Sequence, residues 1–457
     1  MIPPGFVNEL LDRTDIVKVV GRAVSLKKAG ALFKGLCPFH GEKTPSFVVT
    51  PQRGTWHCFG CGVHGNAVGF LMDHHGLGFV EAVQDLASMA GMTVPEERPA
   101  TPAQRAQRQQ QVREQQTLVS VMTQAQERYV QQLAATPRPR SYLDRRGLNE
   151  AVIRTYGLGY APAGWDFLAR HLPADPAEQA LWVTAGLVIA KGDEDSDTAP
   201  DPGRTRRHHD RFRDRVMFPI RSVKGDIIGF GGRVLDQGEP KYLNSPETPV
   251  FSKGKELYGL YEGRQAIRKQ GYALMVEGYM DVVALAQSGL GNAVATLGTA
   301  CTADHLHKLL RFTDSVVFAF DGDAAGRRAA VRALQAALPL ATDTRRLRFL
   351  FLPTEHDPDS FVRELGLDAF RAQVDAALPL SRLLQQHVTE GLDQGSAEDR
   401  TLALARAQPL WSQFPEGLLA EQVLIELARW AGMDPEAVRR HWQAQAQARQ
   451  GPGSGTA

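Results

Sequence analysis

Four side chains that bind metals stand in two short pairs near the start of the chain. Cys37 and His40 are separated by two residues, as are Cys58 and Cys61, and seventeen residues lie between the pairs. Three thiolates and one imidazole at this spacing are the ligand set that a tetrahedral structural Zn²⁺ commonly takes. Four ligands leave no open coordination position, so the sequence predicts one structural zinc ion per chain. The alternative, that these are packing residues, requires four such side chains to fall at paired spacing by chance.

Two further histidines compete for the nitrogen position of this site. His57 and His64 crowd the turn of the second pair, whereas His40 completes the first pair, and His40 is therefore the predicted ligand. Strand-like residues between the pairs, at 46–49 and 55–57, indicate that the site is a zinc ribbon.

The predicted ribbon is locally basic and aromatic. Residues 1–60 carry a net charge of +4, and Phe47, Trp56 and Phe59 lie on the ribbon. Rings that stack on bases and cations that meet phosphates are typical of a surface for single-stranded nucleic acid. The alternative is that one or two of these rings form the small core around the metal.

Carboxylates follow apolar, strand-like runs in the second half of the chain. Glu277 comes directly after the run 274–276, and Asp321 and Asp323 come after the run 316–320. Because ligands bind at the carboxyl ends of the strands in open parallel sheets, these side chains are predicted to gather at one sheet edge. Carboxylate oxygens of this kind bind Mg²⁺ or Mn²⁺, which favours a metal-dependent phosphoryl-transfer site.

Two more acidic residues, Asp357 and Asp359, follow the next apolar run at 349–352. They extend the predicted acidic edge. Any single Asp at such a turn can instead be a turn residue or a helix N-cap, and that alternative stays open for each of them.

A basic segment precedes the carboxylates along the chain. Residues 204–233 carry a net charge of +6, and alternate residues at 211–215 share one face, where they could line a groove for phosphates. A solvated charged face is the alternative. The Gly-Phe-Gly-Gly sequence at 229–232 fits no phosphate-binding motif, and a bulged strand end explains it equally well. The candidate groove residues are Arg211, Arg213, Arg215, Arg221, Lys241 and Lys253.

The overall composition limits the class of protein. With 52 Lys and Arg against 51 Asp and Glu, the net charge is +1, which excludes a uniformly basic nucleic-acid coat. The sequence shows no run of about 20 apolar residues that would span a membrane, and its N-terminus lacks a secretory signal pattern. Four cysteines, three of them in one segment, argue against a secreted disulfide scaffold. A cytoplasmic protein with no membrane partner is expected.

Hydrophobic periodicity predicts the elements that position these residues. The polar stretch 101–116 is a solvated linker or an exposed helix, and the run 191–207 is an exposed hairpin loop. Apolar runs within 273–353 alternate with helix-like stretches, which is the pattern of a parallel α/β sheet, and the part beyond about 378 is helical. Apolar residues at helical spacing predict a packed helix that ends at Pro137, namely Leu118, Met122, Ala125, Tyr129 and Leu133.

Taken together, these motifs resemble the bacterial DNA primases, enzymes that make RNA primers on single-stranded DNA. The likeness runs from about residue 5 to about residue 440. The segments that carry it are CPFHGEKTPSF, WHCFGCGVHGNAVGFLM, RFRDRVMFPI, IGFGGRVL, PKYLNSPETPVFSKG, LYGLYEGRQAI, MVEGYMDVVAL, ATLGTA and FAFDGDAAGRRAA.

The resemblance implies a fold and a set of domains. The expected fold class is multidomain α/β, with an N-terminal zinc ribbon, a basic αβ subdomain, a TOPRIM parallel α/β sheet and a C-terminal helical bundle. The corresponding boundaries are 1–96 for the zinc-ribbon DNA-binding domain, 97–116 for a linker, 117–262 for the basic N-terminal subdomain of an RNA polymerase core, 263–370 for the TOPRIM catalytic subdomain, 371–445 for the helical subdomain and 446–457 for a flexible tail.

The resemblance also implies roles for individual residues. Glu277, Asp321 and Asp323 match the catalytic TOPRIM metal carboxylates, where two or more Mg²⁺ or Mn²⁺ ions are expected and Glu277 is either a ligand or a general base. Asp357 and Asp359 match an outer acidic pair for magnesium, and the two Cys and His pairs match the family's zinc ligands. The residues that would hold nucleotide and template in the basic cleft are Arg211, Arg213, Arg215, Arg221, Lys241, Asn244 and Lys253.

The activity that the resemblance implies is template-directed synthesis of short RNA primers for DNA replication, a nucleotidyl transfer that consumes ribonucleoside triphosphates. A single-stranded DNA template, a position at the replication fork and a monomeric state are expected. The replicative helicase is an expected partner of the family, but no docking domain for it is evident before the chain stops at Ala457.

Two other classes of protein stay open. A TOPRIM nuclease or topoisomerase shares the carboxylate sheet, although nothing around Tyr242, Tyr258 or Tyr261 suggests more than a packing role. A non-catalytic zinc-ribbon binding module shares the metal pairs, but the grouped carboxylates argue against it.

Overall fold

The computed structural model describes residues 2, 4–95, 102–190, 208–236 and 238–450. The start of the predicted linker, the predicted hairpin loop at 191–207 and the end of the predicted tail lie outside these ranges. The chain divides into two compact units, a coarser division than the predicted domains, whose boundaries stay predictions. The first unit comprises Met1–Gly271, Glu277–Thr299 and Arg311–Thr313, and the second comprises Tyr272–Val276, Ala300–Leu310 and Asp314–Ala457.

The N-terminal part of the first unit is an antiparallel sheet between short helices. The strands pair in sequence order, and a 3-10 turn at Pro51–Arg53 joins the two strands that the sequence predicts. Phe47, Trp56 and Phe70 lie at the centre of its core. The elements are α1 (Pro4–Arg13), α2 (Ile16–Gly21), β1 (Lys27–Ala29), β2 (Leu32–Gly35), β3 (Phe47–Thr50), β4 (Thr55–Cys58), β5 (His64–Asn66), α3 (Ala67–His75) and α4 (Phe79–Met89).

A long helix, α5, spans Pro102–Ala135. Its side chains at 110–117 are exposed, so this part of the predicted linker takes the form of an exposed helix. The predicted apolar stripe from Leu118 to Leu133 is buried, which confirms the packed helix. Pro137 opens the next helix, α6 (Pro137–Arg145), because proline is well tolerated in a first turn.

The rest of the basic region folds around an antiparallel sheet that packs on α5. Its strand order is β11-β10-β9-β6, and β7 pairs with β8 as a separate ribbon. Phe212, Phe230 and Trp182 share a core with Tyr129 of α5. The elements are α7 (Glu150–Tyr156), β6 (Gly159–Ala161), α8 (Pro176–Thr184), β7 (Val188–Ala190), β8 (His208–Asp210), β9 (Arg215–Arg221), β10 (Ile227–Val234), β11 (Tyr242–Asn244) and α9 (Leu260–Gln270).

The apolar runs predicted as strands of a parallel sheet are all strands. In the second unit β12, β14 and β15 pair in parallel, and β16 joins as an antiparallel strand. Met275 lies opposite Phe318, so β12 and β14 end side by side. The elements of the second unit here are β12 (Ala273–Val276), α11 (Ala303–Leu309), β14 (Ser315–Phe320), α12 (Ala324–Ala337), β15 (Arg346–Phe351), α13 (Pro358–Leu365), α14 (Leu367–Asp375) and β16 (Leu378–Pro379). Between β12 and α11 along the chain lie α10 (Tyr279–Gln287) and β13 (Ala293–Ala295), which belong to the first unit.

The C-terminal part is helical, as predicted. Asp434 accepts a hydrogen bond from the Ala437 amide and caps the last helix, which continues to Gln450, beyond the predicted start of the tail. No helix within the described ranges combines the length and apolar character needed to cross a membrane. The helices are α15 (Leu380–Thr389), α16 (Ala397–Trp411), α17 (Leu418–Trp430) and α18 (Pro435–Gln450).

Candidate functional site

The two predicted metal pairs meet in the ribbon. The ligand atoms of Cys37, His40, Cys58 and Cys61 all lie within 4.8 Å of one another. The Sγ atoms of Cys37 and Cys61 are 3.9 Å apart, and the Sγ of Cys58 is 3.7 Å from Nδ1 of His40. Ligands bound tetrahedrally at zinc lengths are separated by about 3.8 Å, so the set fits a structural zinc ion. His57 and His64 lie outside the set, and His40 supplies its nitrogen atom.

Local backbone geometry brings the ligands to one side. Main-chain amides of Phe39 and Gly60 point at the Sγ atoms of Cys37 and Cys58, each at 3.4 Å, as in a tight metal-binding turn. A Cβ at Gly60 would lie 2.6 Å from Nε2 of His40, so the second pair needs glycine between its cysteines.

Glu42 is a functional residue of the ribbon that the spacing argument missed. Its carboxylate lies 3.4 Å from Nε2 of His40, on the ring edge away from the thiolates. Burial opposes its ionisation, but hydrogen bonds from Ser46 and from the Cys37 amide outweigh burial and lower its pKa. A carboxylate behind a ligating histidine fixes the ring orientation and strengthens the ligand. Its position two residues after His40 was the available signal.

The aromatic prediction for the ribbon is wrong for two of its three rings. Phe47 and Trp56 are buried, and they stack on each other with ring centres 5.3 Å apart. Phe59 is 74% exposed and packs on His57. The alternative that the small core absorbs some rings therefore holds for Phe47 and Trp56, and Phe59 is the ring of the three that can reach a base.

Two of the predicted cleft arginines are committed to the protein itself. Arg215 is buried, and its guanidinium donates to the carbonyl oxygens of Gly232, at 3.1 Å, and Lys241, at 3.4 Å. Arg221 donates to the Gly225 carbonyl and forms an ion pair with the buried Glu262. Arg215 thus links β9 to β10, and Arg221 links the end of β9 to α9, because a buried guanidinium must find acceptors.

The other predicted cleft residues lie nearer the surface. Arg211 is half-buried and donates to the main-chain carbonyl of Asn244, and burial lowers its pKa. Lys241 is exposed and Lys253 is half-buried. The carboxamide of Asn244 is hydrogen-bonded at both ends within the protein. Nucleotide and template contacts by these residues stay predictions.

Trp165 is a second residue that sequence reasoning missed. Its ring is 62% exposed, and the guanidinium of Arg213 lies over it at 3.8 Å. The main-chain oxygen of Trp165 accepts from the Asp210 amide, and Arg213 donates to the Asp210 carbonyl, so β8 fixes both. An exposed ring beside a cation is an arrangement on which a base can stack. The only sign of it in the sequence is a tryptophan directly after Gly164 that belongs to no apolar run.

The three tyrosines considered for a topoisomerase make contacts within the protein. Tyr258 is buried, Tyr242 accepts a hydrogen bond from Arg233 at 3.1 Å, and the Tyr261 ring lies under Arg264.

The second unit places acidic side chains at the ends of β14 and β15. Asp321 directly follows β14, and its pKa is raised by burial and by the neighbouring charges of Asp357 and Asp323. The two loops touch, since a Cβ at Gly322 would lie 2.1 Å from the carbonyl oxygen of Leu352. This glycine therefore allows the acidic loops to meet.

The four acidic residues of this edge differ in their partners within the protein. Asp323 caps α12 and Asp357 caps α13, each accepting a main-chain hydrogen bond of 2.7 Å. Asp359 is buried and forms an ion pair with Arg363 at 3.7 Å. The N-cap alternative thus holds for Asp323 and Asp357, whereas the Asp321 carboxylate accepts no hydrogen bond from the described part of the chain.

Glu277 directly follows β12 in the chain and opens the segment that carries α10. Within the described residues, the zinc pairs are the one set of three or more metal-binding side chains whose ligand atoms are close enough to share an ion. The joint metal role of Glu277, Asp321 and Asp323 stays a prediction.

Comparison with known proteins decides the family. The profile of the CHC2 zinc finger matches residues 2–102, that of the N-terminal domain of the DNA primase catalytic core matches residues 128–264, and that of the Toprim domain matches residues 271–348. The DNA primase of Neisseria meningitidis is 48% identical over 439 residues, which cover 95% of this chain and 71% of the relative. The chain belongs to the DNA primase family. It therefore carries the nucleotidyltransferase core of a primase, with a structural zinc ribbon and a divalent-metal Toprim sheet.

Solved primase structures share the fold. A DnaG primase catalytic domain bound to single-stranded DNA is 43% identical, with a TM-score of 0.66, and the match covers 71% of this chain and 99% of that one. The zinc-binding and RNA polymerase domains of the Aquifex aeolicus primase are 29% identical, with a TM-score of 0.59, over 94% of this chain and 98% of that one.

One sequence expectation is corrected by the same comparisons. The profile described as the DnaB-helicase binding domain of primase matches residues 384–436. The expectation that this chain shows no helicase-docking region is therefore wrong. These residues lie within the predicted helical subdomain, 371–445.

Proposed function

We propose that this chain synthesises short RNA primers on single-stranded DNA from ribonucleoside triphosphates at the replication fork in the cytoplasm. The observation that carries the proposal is the acidic edge at the ends of β14 and β15, where Asp321 follows β14 and the close contact at Gly322 brings the two acidic loops together. Asp321 is its central carboxylate. Its ionised form is opposed by burial and by Asp357 and Asp323, and no hydrogen bond from the described residues compensates it. A carboxylate in this state is stabilised by a divalent cation.

The residues have the following proposed roles. Asp321 and Asp323 hold Mg²⁺ or Mn²⁺ with Glu277, and Lys241 and Lys253 bind the triphosphate. When bound, the metal ions supply positive charge that stabilises the reacting phosphoryl oxygens. The 3′-hydroxyl of the first nucleotide attacks the α-phosphorus of the second, and pyrophosphate leaves. Glu277 either ligates the metal or accepts the hydroxyl proton.

The template surface in this proposal combines rings and cations. Trp165 and Phe59 are exposed aromatic side chains, and Arg213 stacks on the first of them. Stacking on such rings is tolerant of base sequence, which suits a protein that copies many templates.

Primer synthesis on defined single-stranded templates with labelled ribonucleotides tests the proposal. Asp321→Asn should abolish RNA synthesis and leave template affinity unchanged. Asp314→Asn is a matched control, because Asp314 is exposed at the opposite end of the same strand. RNA synthesis that survives in Asp321→Asn would contradict the assignment. Shortening of the template, without any RNA product, would instead indicate a TOPRIM nuclease.

We also propose that residues 384–436 bind the replicative helicase. The support is the matching profile and two apolar side chains in this stretch, Leu402 and Leu418, that are 42% and 72% exposed. Leu418→Asp should weaken co-sedimentation with the purified helicase. The exposed Glu398→Gln in the same stretch should bind as the wild type does, and equal binding by both variants would contradict this surface.

A further inference from the structure

Tyr279 and Asn244 form a hydrogen-bonded relay that connects segments far apart in the sequence. The hydroxyl of Tyr279 donates to Oδ1 of Asn244 at 2.6 Å. The Nδ2 of Asn244 donates to the main-chain carbonyl oxygen of Leu297 at 2.7 Å. The relay therefore joins the start of α10, the end of β11 and the turn that follows β13.

Two glycines make room for this relay. A Cβ at Gly231 would lie 2.6 Å from the Tyr279 ring, so β10 must present glycine at that point. Gly298 has φ +72°, and a Cβ there would lie 3.3 Å from Nδ2 of Asn244. The Gly-Phe-Gly-Gly sequence, unexplained by any phosphate-binding motif, thus has a reason: Gly231 admits a tyrosine from another element.

The tyrosine is held rigidly. Tyr279 is 3% exposed, stacks on Phe218 with ring centres 5.5 Å apart and meets the edge of Tyr258 at 4.9 Å. The position of its hydroxyl is therefore set by packing before any substrate arrives. A hydrogen bond from such a fixed donor orients the acceptor more strongly than one from a mobile side chain.

Tyr279 and Asn244 each lie close in sequence to a residue of the proposed active site. Tyr279 follows Glu277 by two residues, and Asn244 follows Lys241 by three. We propose that Tyr279 and Asn244 are positioning residues, which hold the Glu277 carboxylate in register with the strand that carries Lys241. This inference rests on the proposed function, because it assigns the relay to the metal and triphosphate groups of that site.

Tyr279→Phe tests the relay, because it keeps the ring and removes the hydroxyl. With the full chain, kcat for primer synthesis should fall about tenfold and the Mg²⁺ concentration for half-maximal activity should rise, while template affinity stays unchanged. Tyr258→Phe is the matched control: its hydroxyl belongs to the same ring cluster, is buried and has no hydrogen-bond partner among the described residues. It should retain wild-type kcat and Mg²⁺ dependence.

A double-mutant cycle separates a relay from two independent residues. Asn244→Asp keeps the acceptor for Tyr279 but cannot donate to the Leu297 carbonyl. If both residues act as one relay, the double variant Tyr279→Phe/Asn244→Asp should be no less active than the less active of the two single variants. The relay would be overturned if the activity loss of the double variant equalled the product of the two single losses. It would also be overturned if Tyr279→Phe behaved like Tyr258→Phe.

The wild-type assay separates this inference from the function on which it rests. If the wild-type chain makes no RNA, the proposed function fails. Amide hydrogen exchange then tests the relay independently of activity. Tyr279→Phe should raise exchange at residues 297–299 relative to Tyr258→Phe if the hydrogen bonds hold that turn. Equal exchange in the two variants would overturn the relay independently of activity.

Discussion

Arg268 of α9 donates a hydrogen bond of 2.7 Å to the main-chain carbonyl oxygen of His74, in the last turn of α3 in the zinc ribbon. The guanidinium thereby meets the negative end of a helix. It also lies 5.3 Å from the ring centre of Phe312 and 6.0 Å from that of Phe39. A Cβ at Gly76 would lie 2.0 Å from the Phe312 ring, so glycine is required where α3 ends. One arginine thus ties the ribbon to the polymerase part of the same chain.

Arg268→Met should loosen the ribbon from α9. The variant leaves the His74 carbonyl without its charged donor, a loss on the order of 1–3 kcal/mol. Hydrogen–deuterium exchange in α3 and α9 should therefore rise at least several-fold, with zinc content still one ion per chain. Lys269→Met, at the exposed neighbouring position on α9, should exchange like the wild type. Unchanged exchange in Arg268→Met would mean that other contacts suffice to hold the ribbon.

Glu42→Gln should weaken zinc binding without removing a ligand. The substitution keeps the size of the side chain but removes the charge that faces Nε2 of His40. Loss of such a partner behind a histidine ligand costs about 10- to 100-fold in metal affinity. Competition with a chromophoric chelator measures the change. Glu9→Gln, at an exposed position on α1, is the control, and equal affinities of the two variants would sink the role given to Glu42.

The zinc site could be predicted from the sequence because its ligands come in pairs that close tight turns. Four residues of fixed spacing define such a site without knowledge of the rest of the fold. The central parallel strands were predictable for a related reason: β12 and β14 are buried on both faces, so each is a nearly continuous apolar run. β15 is less clear, because Arg346 and Arg348 interrupt its apolar residues.

The sequence could not distinguish the buried arginines from those near the surface, because the charge of a residue does not show which way its side chain points. Arg213 and Arg215 stand two apart in one polar run, yet Arg213 stacks on Trp165 near the surface and Arg215 is buried. The difference arises from the strand order, which brings the Gly232 and Lys241 carbonyls to Arg215. Long-range pairing of this kind leaves no mark in local composition.

Trp165→Ala should weaken binding of single-stranded DNA. Removing a stacking ring costs about 1–3 kcal/mol per base, which corresponds to roughly a 5- to 150-fold higher Kd. Fluorescence anisotropy with a labelled oligonucleotide at fixed salt measures the affinity. Trp165→Phe should recover most of it, because phenylalanine also stacks. If alanine and phenylalanine bind alike, the ring does not contact a base.

The buried ion pair between Glu262 and Arg221 predicts a pH-dependent stability. Its Nε to Oε1 distance is 3.1 Å, and the Glu262 side chain is only 4% exposed. Burial raises the pKa of Glu262 from 4.5 to about 7, against the opposing effect of Arg221. Because the folded state holds this proton more tightly, the contribution of Glu262 to stability is full below about pH 4.5 and is lost as the pH rises through about 7.

Glu262→Gln removes this ionisation and should change the shape of the curve of thermal midpoint against pH. Relative to the wild type, the variant should gain stability as the pH rises from about 5 to about 8, by at most on the order of 3 kcal/mol in free energy of unfolding. Glu178→Gln, at an exposed position in the first turn of α8, should give a curve parallel to the wild type. A parallel curve for Glu262→Gln as well would show that Glu262 stays ionised throughout, with Arg221 compensating its burial in full.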